Sequence, residues 1–362
     1  MANLQWSIPS MVDGLNRVQR KVLFCAFKLN IYEDVEVSEF SRYVALESNY
    51  LRSKRDLARA IFCMAHDYLG TNNINLLEPN ALSRYLGGKD HDAVPTYRYT
   101  RLSPITQYLF PKDDDILLEY IKEDGNSVEP SWYMPIIPMV LVNGTEVIVT
   151  GDRSYIPKYN PMDIVSNLRC LLNEKPMQPM QPWYKGFRGN IKKAAADGYT
   201  IEGLIEEVDA TTLRITKLPI GVSRQDYIDF LRSMTTGNDP FIKYYIKRNA
   251  DDTTVNFEVI LPAENLSMAK HEGLLKKFKL TTTIKTSNMC LFNREGMIKK
   301  YDTPIQILEE FIPIRLEFYE KRKKYVLCNL EMELLKLENK VKYVTEVLEG
   351  KISFFQGTLI VW

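Results

Sequence analysis

Residues 56–70, DLARAIFCMAHDYLG, put Leu57, Ile61, Met64, Ala65 and Tyr68 on one helical stripe and stop at Gly70. Upstream, residues 18–29, VQRKVLFCAFKL, carry a second amphipathic pattern. Two such helices, followed by a turn-rich stretch and a short strand pattern, predict a helix-turn-helix or winged-helix unit. At the start of the second helix, Arg52, Lys54, Arg55 and Arg59 stand against the single acid Asp56. Cations so spaced can face a phosphate backbone, where each neutralised phosphate releases a counterion; a solvated helix face is the alternative.

The pattern changes between 139 and about 275. Strand-like segments (YTIEGLIEEV, TLRITKLP, TVNFEVILP) alternate with helical ones (PMDIVSNLRCLLN, RQDYIDFLRSM), which predicts a separate α+β domain. Within it Lys185, Arg188, Lys192 and Lys193 lie among Trp183, Tyr184 and Phe187. NMCLFNREGMIKKY, 288–301, predicts a hairpin turning at Asn293 to Gly296. A long helix follows, in which Leu327, Leu334, Val341 and Leu348 recur every seven residues beside Leu330, Leu337 and Val344, the a and d positions of a coiled coil. From Pro313 to Glu349 it spans roughly 55 Å. It needs a partner helix, expected from another chain or from residues outside this one.

The 362 residues suffice for two or three domains, and 45% hydrophobic with 26% charged residues is the balance of a soluble globular protein. The apolar run MPIIPMVLV is too short to span a bilayer, and the N-terminus carries no secretory signal, so a reducing compartment is expected. Five scattered cysteines and three distant histidines suggest neither a zinc site nor a disulfide framework. A net charge of +1 leaves any nucleic-acid role to local patches. Asp113, Asp114 and Asp115 suit a helix start better than a metal site.

Two stretches bear on chemistry. LVNGTEVIVTGDRSYIP, 141–157, predicts two extended pieces around Asn143–Gly144, with Ile148 either strand core or an apolar wedge between base pairs. AVPTYRYTRLSP, 93–104, carries Tyr97 and Tyr99 with Arg84, Lys89, Arg98 and Arg101 in sequence reach. A phenol needs nearby cations or a base to attack a phosphodiester, its reference pKa being about 10; alternating aromatics in a strand otherwise simply pack.

The blocks SIPSMVDGL, QRKVLF, GTNNINLL, GGKD, TYRYTRLSP, VEPSWYMPIIPMVLVNG, FKLTTT and KKYDTPIQILEEF occur in that order. Together they resemble the breakage-reunion region of eukaryotic DNA topoisomerase II, a type IIA topoisomerase. The resemblance implies an α+β chain with a winged-helix domain over 1–138, a tower domain over 139–275, and a hairpin with a truncated coiled-coil arm over 276–362. It implies a nuclear enzyme on double-stranded DNA, working as a homodimer or paired with an intact subunit. Tyr97 would form a 5′-phosphotyrosyl link. Arg20, Lys21, Arg52, Arg84, Lys89 and Arg98 would contact DNA, with Ile148 as the wedge. No metal or cofactor is expected on this chain; Mg²⁺ and ATP belong to the full-length family enzyme, whose ATPase and Toprim domains are expected to lie outside it.

The chain departs from the family pattern at Thr96, where the family has arginine, and at Tyr50–Lys54, which replaces Tyr-His-His-Gly-Glu. The glycine-rich loop before Gly87 is shorter, and Val147-Ile148-Val149 replaces Gly-Ile-Gly. Pro313 predicts a kink or restart in the long helix. A catalytically inactive DNA-binding paralogue is the alternative function.

Overall fold

The structure, a computed structural model, describes residues 6–80, 99–123, 125–149, 152–194, 198–237, 240–248 and 255–352. Its contacts divide the chain into two units, 1–313 and 314–362.

In the first unit, helix α1 (Arg17–Leu29) starts on a reciprocal cap: the Asn16 side chain accepts from the Gln19 amide, and the Gln19 side chain accepts from the Asn16 amide, both at 3.0 Å. It ends on Asn30 in the left-handed conformation, φ 51°. Strand β1 (Val35–Glu36) leads into α2 (Val37–Glu47), a helix that the sequence reading passed over although Val37, Phe40, Ser41 and Val44 are buried at helical spacing. Ser53 caps α3 (Lys54–Ala65), which buries Leu57, Ile61, Phe62, Met64 and Ala65. This stripe stabilises the unit by about 1.5–3 kcal/mol for each large side chain. The helix stops at Ala65 rather than Gly70, because His66 turns to extended backbone and Tyr68 lies beyond the last turn.

Strands β2 (Leu77–Asn80) and β3 (Tyr99–Leu102) complete an antiparallel sheet of order β1-β3-β2, in which Thr100 faces Val35 and Leu102 faces Leu77. After α4 (Thr106–Leu109), Asp113 to Asp115 open a six-residue 3₁₀ turn, not a long helix, and β4 (Tyr120–Glu123) pairs with β5 (Asn126–Pro130). Helix α5 (Met139–Asn143) is buried from Met139 to Val142.

The expected break at Asn143–Gly144 is therefore a helix end. The hairpin lies beyond it, with β6 (Thr145–Val149) pairing β7 (Asp152–Ile156) so that Ile148 stands opposite Arg153. The four described non-glycine residues with positive φ are Asn30, Asn49, Glu174 and Lys279, so Val147 and Val149 sit in ordinary strand backbone without the strain a β-branched residue would otherwise meet.

Gly14 is a different case. Its φ is +70°, and a Cβ there would come 2.5 Å from the Val140 nitrogen and 2.9 Å from the Met139 carbonyl carbon. Gly14→Ala is expected to cost about 3 kcal/mol or more, from the backbone clash added to the strain of a positive φ. Gly125, at φ +82° with nothing within 4 Å of its Cβ position, meets only the strain, about 1 kcal/mol for Gly125→Ala. Equal urea midpoints for the two variants would contradict this account.

Helix α6 (Pro161–Leu172) has proline in its first turn and an Asn160 cap. Strands β8 (Asn190–Lys193), β9 (Gly198–Glu202), β10 (Leu204–Asp209) and β11 (Thr212–Lys217) precede α7 (Arg224–Thr235), which β12 (Tyr244–Lys247), β13 (Phe257–Ile260), α8 (Ala263–Glu272), α9 (Leu274–Lys277) and β14 (Thr281–Lys285) follow. Two antiparallel sheets result, β10-β11-β13-β12 and β14-β9-β8. The core of the four-stranded sheet joins Leu213, Ile215, Phe257 and Val259 from strands to Tyr227, Leu231 and Leu266 from helices. The Tyr227 hydroxyl donates to the Phe278 carbonyl at 2.8 Å.

Strands β15 (Met289–Phe292) and β16 (Ile298–Tyr301) form the expected hairpin, in which Asn293 accepts from the Met297 amide at 2.8 Å. Met11 N donates to the Phe292 carbonyl at 2.8 Å, tying this hairpin to the start of the chain. The architecture is a mixed α+β fold with a long C-terminal helix.

That helix, α10 (Pro304–Leu348), is 45 residues long, about 68 Å at about 1.5 Å per residue. It begins at Pro304 and continues through Pro313, where a kink or restart was expected. Within the second unit, Leu327, Leu330, Leu334, Leu337, Val341, Val344 and Leu348 are between 49% and 81% exposed, so the whole predicted seam is open. No described helix is long and apolar enough to cross a membrane.

Candidate nucleic-acid interface

Arg20 and Lys21 lie on the buried face of α1. The Arg20 guanidinium donates to both Asp13 carboxylate oxygens, at 2.7 and 3.1 Å, and to the Leu15 carbonyl at 2.8 Å. Asp13 also accepts from the Leu15 and Tyr133 amides. Lys21 Nζ donates to Glu129 Oε2 at 2.7 Å and to the Ser48 carbonyl, while Arg17 Nε donates to Glu129 Oε1 at 2.9 Å. Arg20 and Lys21, both expected at the DNA, are thus turned inward in this structure. A cation on an inward helix face is tolerated only when a carboxylate and further acceptors receive it, and Asp13 and Glu129, both wholly buried, do so.

The open cations are elsewhere. Arg52, Lys54, Arg55 and Arg59 are all exposed around the start of α3. The Arg52 guanidinium lies 4.5 Å from the centroid of the Trp6 ring, and that of Arg17 lies 4.7 Å from the same ring. Trp6 packs edge-on to Tyr50 at 5.8 Å. The sequence reading missed Trp6; an isolated tryptophan before the first helix gives no periodic signal.

In the second basic cluster Lys185 pairs with Asp67 at 3.0 Å and Lys192 with Glu202 at 2.7 Å, while Arg188 and Lys193 are exposed. Tyr184 is not free to stack on a base: it is buried, packs edge-on to Phe187 at 6.5 Å and shares a 2.9 Å hydroxyl contact with Tyr155.

Tyr97, Arg84, Lys89 and Arg98 lie outside the described residues, as does Thr96. Tyr99 is a strand residue of β3 opposite Glu36 and Asn80. Arg101 pairs with Glu78 at 2.8 Å. Burial pushes the Asp115 carboxyl up to about 6, helped by Asp114 and Asp113 and opposed by Lys112. Among the described residues no three His, Cys, Asp or Glu side chains are grouped to hold a metal ion.

The family model for DNA gyrase/topoisomerase IV, of the A-type subunit, matches residues 6–358. The chain belongs to that topoisomerase family. DNA topoisomerase 2 of Arabidopsis thaliana is 55% identical over 97% of this chain and 24% of its own length. DNA topoisomerase 2-alpha of Cricetulus griseus is 42% identical over 96% of this chain and 23% of its own length. The crystal structure of the Plasmodium falciparum topoisomerase II DNA-binding, cleavage and re-ligation domain superposes with a TM-score of 0.91 at 37% identity, covering 99% of this chain and 49% of that one. The chain thus spans about a quarter of the length of the curated relatives it matches.

One residue of the topoisomerase blocks has a positioning role that periodicity does not reveal. Asn73, in GTNNINLL, donates through Nδ2 to the carbonyls of Val142, Tyr159 and Trp183 at 2.9, 3.2 and 3.1 Å. Its Oδ1 accepts from the Lys185 amide at 2.9 Å. Next to it, Ile74 and Asn143 exchange two hydrogen bonds of 3.0 and 2.9 Å. Asn73 therefore holds the end of α5 and the basic loop around Lys185 against the segment that follows α3.

Asn73→Ala leaves these buried groups without partners and is expected to cost about 2–3 kcal/mol in urea unfolding. Asn73→Asp, which sets a carboxylate against three carbonyls, is expected to cost more. An Asp variant as stable as wild type would refute this role.

Proposed function

We propose that this chain is the DNA-binding and cleavage part of a type II topoisomerase. The observation that carries the proposal is its likeness, at a TM-score of 0.91 over 99% of the chain, to a structure titled as a DNA-binding, cleavage and re-ligation domain. The connectivity α1-β1-α2-α3-β2-β3 supports a winged-helix domain over 1–138, with α2 and α3 as the helix-turn-helix pair and β2 and β3 as the wing strands. Residues 139–275 are then the tower and 276–362 the hairpin and the arm, whose open heptad seam suits a coiled-coil partner.

In this reading Tyr97 is the nucleophile. Its phenolate oxygen bonds to a DNA phosphorus, the 3′ oxygen of the neighbouring nucleotide leaves, and a 5′-phosphotyrosyl link remains until religation reverses the exchange. Arg52, Arg84, Lys89 and Arg98 supply charge toward the phosphate, and Ile148, near the tip of the β6–β7 hairpin, is the wedge. Arg20 and Lys21 act one step back, through the rigidity that their carboxylate pairs give α1. The complete enzyme changes DNA topology with ATP and Mg²⁺, as a nuclear dimer, by double-strand breakage and passage. In this reading the chain contributes nucleophile, cations and shape, and the magnesium ligands come from the Toprim domain of the full-length family enzyme.

The test is covalent capture. The protein is incubated with supercoiled plasmid and Mg²⁺, with and without a Toprim-containing fragment, then denatured with detergent, and DNA-linked protein is measured. Adducts that require the Toprim fragment support the enzyme. A second reading, an inactive DNA-binding paralogue, is favoured by the carboxylate pairing of Arg20 and Lys21 and by Arg52 lying over Trp6. It expects salt-sensitive binding without adducts. No binding at low salt contradicts both.

A further inference from the structure

Trp6 precedes α1 and is half-buried, with three side chains converging on its indole. Tyr50, buried between α2 and α3, meets it edge-on at 5.8 Å. The Tyr50 amide donates to the Ala45 carbonyl at 3.0 Å, so this contact belongs to the helix pair. The Arg17 guanidinium lies 4.7 Å from the ring centroid and is itself held by Glu123 and, at 2.9 Å, by the wholly buried Glu129. The third side chain is Arg52, 4.5 Å from the same centroid and exposed. A continuous line of contacts therefore runs from a core carboxylate through Arg17 and Trp6 to a surface cation.

That cation sits one residue before Ser53, which caps α3 by accepting from the Arg55 amide at 3.2 Å. An arginine on a free stem samples many rotamers, and fixing it on a phosphate sacrifices that entropy. Against the indole much of that freedom is already gone before any ligand arrives. Stacking of this kind occupies the flat face of a guanidinium and leaves its N–H edge for a phosphate oxygen.

We propose that Trp6 is a positioning residue for DNA, holding Arg52 at the start of α3 so that its guanidinium meets a backbone phosphate already oriented. Trp6 itself touches no nucleotide; its effect passes through Arg52. The inference rests on the DNA-binding part of the proposed function, which the active and the inactive readings share.

The test titrates the full chain with fluorophore-labelled linear duplex DNA, following anisotropy from about 50 to 200 mM salt. Trp6→Leu keeps apolar bulk against Tyr50 and removes the π face; it should weaken binding about two- to fivefold, the range that one exposed cation–π contact supports. Trp6→Phe keeps a π face and should stay within about twofold of wild type. Arg52→Ala should weaken binding and lower the salt slope by about 0.9, one phosphate contact. In the Arg52→Ala background Trp6→Leu should then change nothing further. A tryptophan that merely supports the fold would cost affinity equally in both backgrounds, so an additive double variant overturns the proposal. Trp6→Leu binding like wild type, or an Arg52→Ala slope equal to that of wild type, overturns it as well. Wild-type protein that binds no DNA at low salt defeats the DNA reading and this inference with it, a result seen before any variant is compared.

Discussion

Tyr97→Phe is expected to abolish covalent protein–DNA adducts, a loss on the order of 10⁴-fold or more, while DNA affinity stays within about twofold. The substitution keeps the ring and deletes one oxygen, the atom assigned to bond phosphorus. Backbone contacts dominate affinity and come from many cations, so one phenol contributes little to it. Tyr99→Phe is the matched control. Tyr99 belongs to β3, paired with Glu36 and Asn80, and its loss of hydroxyl should leave adduct yield within about threefold. Detergent-resistant adducts that persist in Tyr97→Phe, or that disappear in Tyr99→Phe instead, would remove Tyr97 from the role. Thr96 has no charge to set against a developing phosphorane beside Tyr97, so Thr96→Arg is expected to raise adduct yield in the same assay.

Glu129→Ala should be the most destabilising change among the described charge pairs. Glu129 is wholly buried and receives both Lys21 at 2.7 Å and Arg17 at 2.9 Å. Removing it leaves Lys21, 1% exposed at its side chain, with Glu123 at 3.8 Å as its remaining described carboxylate neighbour. Breaking a buried pair from one side costs about 3–5 kcal/mol because the abandoned charge stays desolvated. A fall in Tm on the order of 10 °C is expected by calorimetry. Lys21→Met should cost less, since Glu129 keeps Arg17 and the methionine fills the space with apolar atoms. The reverse order of the two variants would show that the pair does not hold α1 as described.

Glu129 also marks the border between what was legible locally and what was not. The stripes of α1 and α3, the turn at Asn293 and the heptads of α10 were readable from single segments, because a helix face or a hairpin repeats its signal within about ten residues. The family was readable from blocks of unbroken sequence. The orientation of Arg20 and Lys21 was not: the acids that draw them inward are Asp13, on the preceding turn segment, and Glu129, 108 residues away. Asn73 was equally silent, its partners lying 69 to 112 residues on.

By itself, then, the sequence determined the helix faces, the hairpin turn after β15, the α+β class and the topoisomerase family. Tertiary structure alone decided that α3 stops at Ala65, that Asn143–Gly144 ends a helix, that α10 runs through Pro313, and that two cations of α1 serve the interior. The physical reason is one of range. Periodicity reports which side of an element is apolar, whereas the fate of a charge or a breaker depends on which distant groups arrive to satisfy it. Asp13 and Glu129 compensate Arg20 and Lys21, and a proline inside a helix removes only one donor from a ladder of many.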